Sequence, residues 1–320
     1  MRANKNSNEL KLTRVYDAPV AAVWDAWTDP EQTAKWWGPR GFTLTTHSKD
    51  LRVGGHWHYT MHGPDGTDYP NQTKYFEVEE YKRLVYDHGA NADQPPLFRV
   101  TVVFTDLGDQ TRMEMTMAFK SPEDAEQSSK FIKAAGGNST WDRLAEYLTR
   151  ERTNKDVFVI TRSFAATIDV LFDMWIDPRH FSRWLGPNDT SMEFIDAEIA
   201  EGKTTFYKMT YGDGTAMYGK MRYIKIKRPD YIEYSQSFCD ERGNLSKHPN
   251  VPLWPDYMRT MILFARESNN DAEPQARVTV IWQPDGTASR EEVEAFIDMR
   301  AGMTQGWTQA FDKLEELTGG

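Results

Sequence analysis

The chain has 320 residues, 39% of them hydrophobic and 13% aromatic, with 11 tryptophans and a net charge of −10. That length holds two domains of about 150–160 residues, each able to bury a core of its own. Neither half is basic, which argues against nucleic acid or an anionic membrane as partner, and no apolar run approaches the roughly 20 residues of a membrane span.

The opening MRANKNSNEL is polar and lacks the apolar stretch of a signal peptide. The lone cysteine, Cys239, can form no internal disulfide, so a cytoplasmic location is expected. ELKLTRVY then reads as a first strand. Pro19 is placed to begin a helix, where its missing N–H costs nothing, and Ala21 to Trp27 continue it. Asp29-Pro30 ends that helix and caps a second, with Asp29 as N-cap and Pro30 at the first helical position. HGPDGT is an Asp-Gly turn joining two strands. TRMEMTMAF alternates Met113, Met115, Met117 and Phe119 against Arg112, Glu114 and Thr116, a strand with one apolar face. A single helical stretch over 122–150 closes the first half.

The second half repeats this order. Shifted by 148 residues and without a gap, Arg14 falls on Arg162, Trp27 on Trp175, Asp29-Pro30 on Asp177-Pro178, and Trp36 on Trp184. Gly38-Pro39 falls on Gly186-Pro187, Tyr59 on Tyr207, Asp65-Gly66-Thr67 on Asp213-Gly214-Thr215, and Tyr75 on Tyr223. The boundary falls in the charged TRERTNKD, giving domains 1–152 and 153–320. The second copy carries extra residues around HPNVPLWPDYM and closes with a helix over 288–317. On it Phe296, Met299, Met303, Trp307, Ala310, Leu314 and Leu317 form one apolar stripe. The fold class is therefore α+β: in each copy, two short helices near the N-terminus and a curved antiparallel sheet wrapped around a long C-terminal helix. The sheet's other face meets water.

The stretches YDAPVAAVWDAWTDPEQTAKWWGP, DLRVGGHWHYTMHGPDGTDY, KRLVYDH and GMTQGWTQAFDKLEEL resemble the bacterial homologues of the C-terminal domain of the activator of heat-shock protein 90 ATPase. These belong to the START-like (SRPBCC), helix-grip superfamily typified by the birch-pollen allergen. The resemblance covers nearly the whole chain, twice over, and is closer in the first copy. It implies a sheet of seven or so strands gripping the helix, with a cavity between them. Members of the superfamily bind lipids, hormones or polyketides, and a few catalyse aromatisation or cyclisation.

GHWHYTMHG sets a question of orientation. His56, His58 and His62 share one face of a strand, and Trp57, Tyr59 and Met61 the other. Burying the apolar side contributes about 1.5–3 kcal/mol per side chain, whereas unpaired imidazoles cost free energy inside. The histidines are therefore expected outside, and no metal site is assigned. In the first copy the inward set is Trp57, Tyr59, Met61, Tyr75, Met113, Met115, Met117 and Trp141. In the second it is Tyr207, Met209, Tyr223, Val280, Trp282, Met303 and Trp307. These side chains either fill a core or line an adaptable apolar pocket in which methionines flex and tyrosine hydroxyls orient a ligand. Trp36 and Trp184 are read as core, and Trp37, replaced by leucine in the second copy, as exposed at a rim. Gly302 and Gly306 share a helix face that something approaches closely; Gly136-Gly137 marks either the same feature or a helix break. Asp25 lies on a solvated face. Cys239, beside Asp240 and Glu241, is not a reactive thiolate.

No catalytic residue and no cofactor is assigned. The expected function is binding of a small hydrophobic or amphipathic molecule between sheet and long helix, in the first copy before the second. A cyclase- or hydrolase-type enzyme on such a molecule is one alternative. A chaperone-related protein-interaction module, with a chaperone or other protein as partner, is the other.

Overall fold

The computed structural model describes residues 2–3, 7–89, 94–134, 138–268 and 274–319. The chain divides into two compact units, Met1–Asn154 and Lys155–Gly320.

The first unit runs β1 (Arg2–Ala3), β2 (Glu9–Tyr16), α1 (Val20–Thr28), α2 (Pro30–Trp36), β3 (Thr43–Lys49), β4 (His56–His62), β5 (Asp68–Glu79), β6 (Arg83–Gly89), β7 (Phe98–Asp106), β8 (Thr111–Ala118), α3 (Pro122–Ala134) and α4 (Ser139–Thr153). The second runs β9 (Phe158–Phe164), α5 (Ile168–Ile176), α6 (Pro178–Trp184), β10 (Thr190–Asp196), β11 (Thr204–Tyr211), β12 (Ala216–Lys227), β13 (Tyr231–Cys239), β14 (Met258–Arg266), β15 (Ala276–Pro284), α7 (Arg290–Asp298) and α8 (Arg300–Leu317). Each unit is a helix-grip domain of the α+β class. The strand orders are β1-β2-β8-β7-β6-β5-β4-β3 and β10-β11-β12-β13-β14-β15-β9, and every pairing is antiparallel. β2 pairs with the last strand, β8, and β9 with β15, and strand alternation sorts one face of each sheet to the core. On β8, Met113, Met115 and Met117 are buried while Arg112 and Glu114 are exposed.

The repeat extends to irregularities. Register shifts leave His47 and Phe76 unpaired in the first sheet, and Ile195 and Ile224 unpaired at the matching positions of the second. Such bulges add local twist and bend, which helps a sheet curl around a helix. Asp29 and Asp177 cap α2 and α6, accepting from Glu31 N and Gln32 N in one case and Arg179 N in the other. Trp36 and Trp184 donate their indole N–H to Ala26 O and Met174 O at 2.9 and 3.0 Å, locking each short helix to the one before it. The glycine after each tryptophan pair position turns left-handed, φ +94° at Gly38 and +110° at Gly186. A Cβ on Gly186 would lie 2.7 Å from Thr190 Oγ1, so this turn requires glycine. A basic residue of the closing helix then ties down the turn: Arg143 donates to Gly38 O and Pro39 O at 2.8 Å, and Lys313 to Pro187 O at 3.1 Å.

Several details differ from the sequence expectation. Pro19 is the N-cap of α1, in extended conformation, instead of its first helical residue. Neither closing helix is single. The stretch 122–150 forms α3 and α4, and Gly136-Gly137 lie outside the described residues. The stretch 288–317 forms α7, opened by a capping box between Ser289 and Glu292, and α8, parted at Met299. The apolar stripe passes through that junction, with Phe296, Met303 and Trp307 all in one core, so periodicity could not reveal it. Gly302 and Gly306 are not close contacts either. An added Cβ would come no nearer than 3.7 Å to Met299 or Pro187, which is ordinary packing.

Candidate functional site

The candidate residues all meet their own unit's core. In the first unit Trp57, Tyr59, Tyr75, Met113, Met115, Met117 and Trp141 are buried, with Met61 half-buried against them. In the second, Tyr207, Met209, Tyr223, Val280, Met303 and Trp307 are buried, and Trp282 is half-buried. Packing turns these sets into two different interiors.

The first is an aromatic cluster built from four elements. Trp27 of α1 stacks on Trp141 of α4, with centroids 5.4 Å apart and planes 12° apart. Trp57 and Tyr59 of β4 stack at 4.0 Å. Between these pairs stands Trp37, edge-on to Trp27 at 5.5 Å and to Trp57 at 5.2 Å. Its expected place at an exposed rim is therefore wrong. The backbone leaves α2 extended at Trp37 (φ −66°, ψ 136°), which takes the side chain off the helix's own register and into the centre of the cluster.

Two polar groups enter this interior, and the sequence reading passed over both. His88 lies across from Thr73 and Phe98 on the inward face of β6. Its Nδ1 is 3.5 Å from the Tyr59 hydroxyl, at the outer limit of a hydrogen bond, and its ring stacks on Phe98 at 4.8 Å. Burial pushes the imidazole down to about 4, so it is neutral at physiological pH. Burial likewise drives the Tyr59 hydroxyl well above its usual range, against hydrogen bonds with Trp37 and Thr73. The alternation rule applied to GHWHYTMHG would have placed His88 inward with Leu84 and Tyr86. The second is Lys49, beyond the β3 bulge. Its ammonium donates to Trp27 O at 3.1 Å and sits 4.2 Å above the Trp57 ring. Burial beneath the α1–α2 turn lowers it to about 7, partly offset by Asp29.

The second interior is closed differently. The segment between β13 and β14 inserts Trp254, which packs edge-on at 6.5 Å from Trp282 and lies 5.9 Å from both Phe296 and His248. Position 236, the counterpart of His88, is glutamine, and position 197, the counterpart of Lys49, is alanine.

The outer histidines do not converge. His56 and His58 are half-buried on the outer face with ring centroids 5.9 Å apart. His62 holds Asp68 at 2.6 Å through Nδ1 and Thr45 at 2.9 Å through Nε2. Among the described residues no group of three or more His, Cys, Asp or Glu side chains is placed to hold a metal ion. Burial raises the Cys239 thiol, opposed by Lys220. Among the described residues no helix is long and apolar enough to cross a membrane.

Comparison with known proteins gives the following. A protein of Nitrosomonas europaea with a crystal structure is 26% identical, matching 45% of this chain and 96% of its own, with a TM-score of 0.42. One from Mycobacterium smegmatis is 29% identical over 45% of this chain and 93% of its own, also at 0.42. The di-domain ARO/CYC protein BexL of the BE-7585A biosynthetic pathway is 11% identical over 98% of this chain and 99% of its own, at 0.37. Among curated proteins, none matches. The model of one sequence family, described as Activator of Hsp90 ATPase homolog 1-like protein, matches residues 17–149 and again 165–319. With both copies matched, the chain belongs to the Activator of Hsp90 ATPase homolog 1-like family.

Proposed function

We propose that the first unit binds one small, mainly apolar molecule that carries a hydrogen-bonding group, held between β4–β6 and α4. The observation that supports this most directly is the Tyr59–His88 pair. Two polar groups meet at 3.5 Å inside an aromatic core, a long contact that leaves room for a ligand's polar atom to bond with either of them. A neutral imidazole and a protonated phenol offer both an acceptor and a donor to a ligand. Half-buried Met61, which packs against the same core, is a flexible side chain that yields as a ligand enters. The second unit, with Trp254 packed into its interior and Gln236 in place of His88, is the non-binding or differently binding partner copy. Among the described residues no carboxylate bonds to His88, so a proton relay lacks a third member, and binding is favoured over acid–base turnover. The single cysteine is in keeping with a cytoplasmic setting.

Native mass spectrometry of freshly purified protein tests this reading. The expected result is a bound small molecule that is lost in Tyr59→Phe/His88→Gln and retained in Gln236→Ala. Retention in the first variant, at unchanged stability, would rule the site out.

A further inference from the structure

The outer face of the second sheet carries a groove of its own. Thr204, Arg222 and Ser235 lie side by side across β11, β12 and β13, and Phe206, Lys220 and Ser237 form the neighbouring row. Residues 240–257, which join β13 to β14, are a longer connection than 90–97 in the first unit and raise a wall beside these rows. The wall is a built structure. The Asp240 carboxylate folds its start into a tight turn, accepting from Arg242 N at 2.9 Å, Asn244 N at 2.8 Å and Asn244 Nδ2 at 3.0 Å. The turn brings Gly243 over Lys220, whose Nζ donates to the Gly243 carbonyl at 2.6 Å. Between rows and wall lies an open groove of about 770 Å³.

Its charge is unbalanced in a specific way. In the first sheet Lys74 stands opposite Asp87, which also receives two bonds from Arg99. At the matching place in the second sheet Arg222 stands opposite Ser235, so a hydroxyl replaces the carboxylate. Among the described residues no carboxylate pairs with Arg222. Asp240 is occupied within its turn, and Glu233 is held by Arg259 and Tyr231. Exposed Ile224, Leu245 and Tyr257 flank the cations. A planar guanidinium presents paired donors matched to a carboxylate, and an apolar patch rimmed by polar groups marks a binding surface.

We propose that this groove binds a small organic carboxylate with a compact apolar body. Arg222 and Lys220 hold the carboxylate, with hydroxyls of Thr204, Ser235 and Ser237 around it, and Leu245, Ile224 and Tyr257 cover the apolar part. The site is separate from the interior of the first unit and does not depend on it.

The test is calorimetric titration of the full chain with octanoate, and with octanol as its uncharged counterpart. In protein carrying Tyr59→Phe/His88→Gln, octanoate should bind and octanol should not, and adding Lys220→Met/Arg222→Leu should weaken octanoate at least about tenfold. A second readout needs no variant. Cys239, the only thiol, is buried at the floor of the groove it helps line, so saturating octanoate should slow its alkylation further. Three results would overturn the proposal: no octanoate binding at millimolar concentration, binding unaffected by Lys220→Met/Arg222→Leu, or alkylation of Cys239 at an unchanged rate.

Discussion

His88 shows how one side chain can carry both stability and function. Its imidazole is held at about 4 in the folded protein against an ordinary value of 6.5, because burial beside Phe98 and Tyr59 disfavours the charged form. Between those values the unfolded chain binds the extra proton and the folded one does not, so stability rises with pH across that window and falls as pH drops from 6.5 to 4. The shift corresponds to roughly 3 kcal/mol. Replacing His88 with glutamine, the residue the second copy already uses, should remove that part of the acid dependence. Urea midpoints of the two proteins at pH 4.5 and 7 measure it: the difference between pH values should shrink in the variant. Trp37 makes the complementary point. Its change to leucine in the second copy resembled surface tolerance, yet its ring touches Trp27, Trp57 and Trp141 at the centre of a core.

The elements follow local rules closely, and their exceptions are informative. Gly302 sits in the first turn of α8 with nothing nearer than 3.7 Å to an added Cβ. Gly302→Ala should therefore stabilise the protein by about 0.5–1 kcal/mol through helix propensity alone, seen as a raised unfolding midpoint. Gly219 on β12 is the opposite case. A Cβ there would fall 2.3 Å from the Tyr207 hydroxyl and 2.7 Å from its ring edge, so the absence of a side chain lets the Tyr207 ring lie across the strand. Gly219→Ala should cost roughly 1–3 kcal/mol as the ring is displaced, and near-ultraviolet circular dichroism should report the altered tyrosine environment. The two glycines carry the same letter in the sequence; only the neighbouring strand tells them apart.

At the scale of the molecule, each unit completes its own sheet and core. Among the described residues β2 closes on β8 and β9 on β15, and each hydrophobic core is drawn from its own unit. Residues 1–154 and 155–320, produced separately, should each unfold cooperatively in urea. A half that remained unfolded by circular dichroism would show that its stability depends on the other. Within this shared plan the copies have diverged at their interiors and outer faces. The first keeps a polar pair among stacked aromatics, while the second closes its interior with Trp254 and walls a cationic groove outside.

The tandem architecture, the buried faces of strands such as β4 and β8 and the Asp-Pro caps were legible without coordinates. Each is written in local periodicity or in a constant spacing of 148 residues, and hydrophobic burial leaves an alternating strand only one sensible side to hide. Periodicity could not say what meets what across the interior. The Tyr59–His88 contact, Lys49 beneath the Trp27 carbonyl and Trp254 in the second core join residues from separate elements. Their positions depend on strand register, on bulges that displace the pairing, and on where a connecting segment folds back. Those are settled only when the whole sheet closes around its helix.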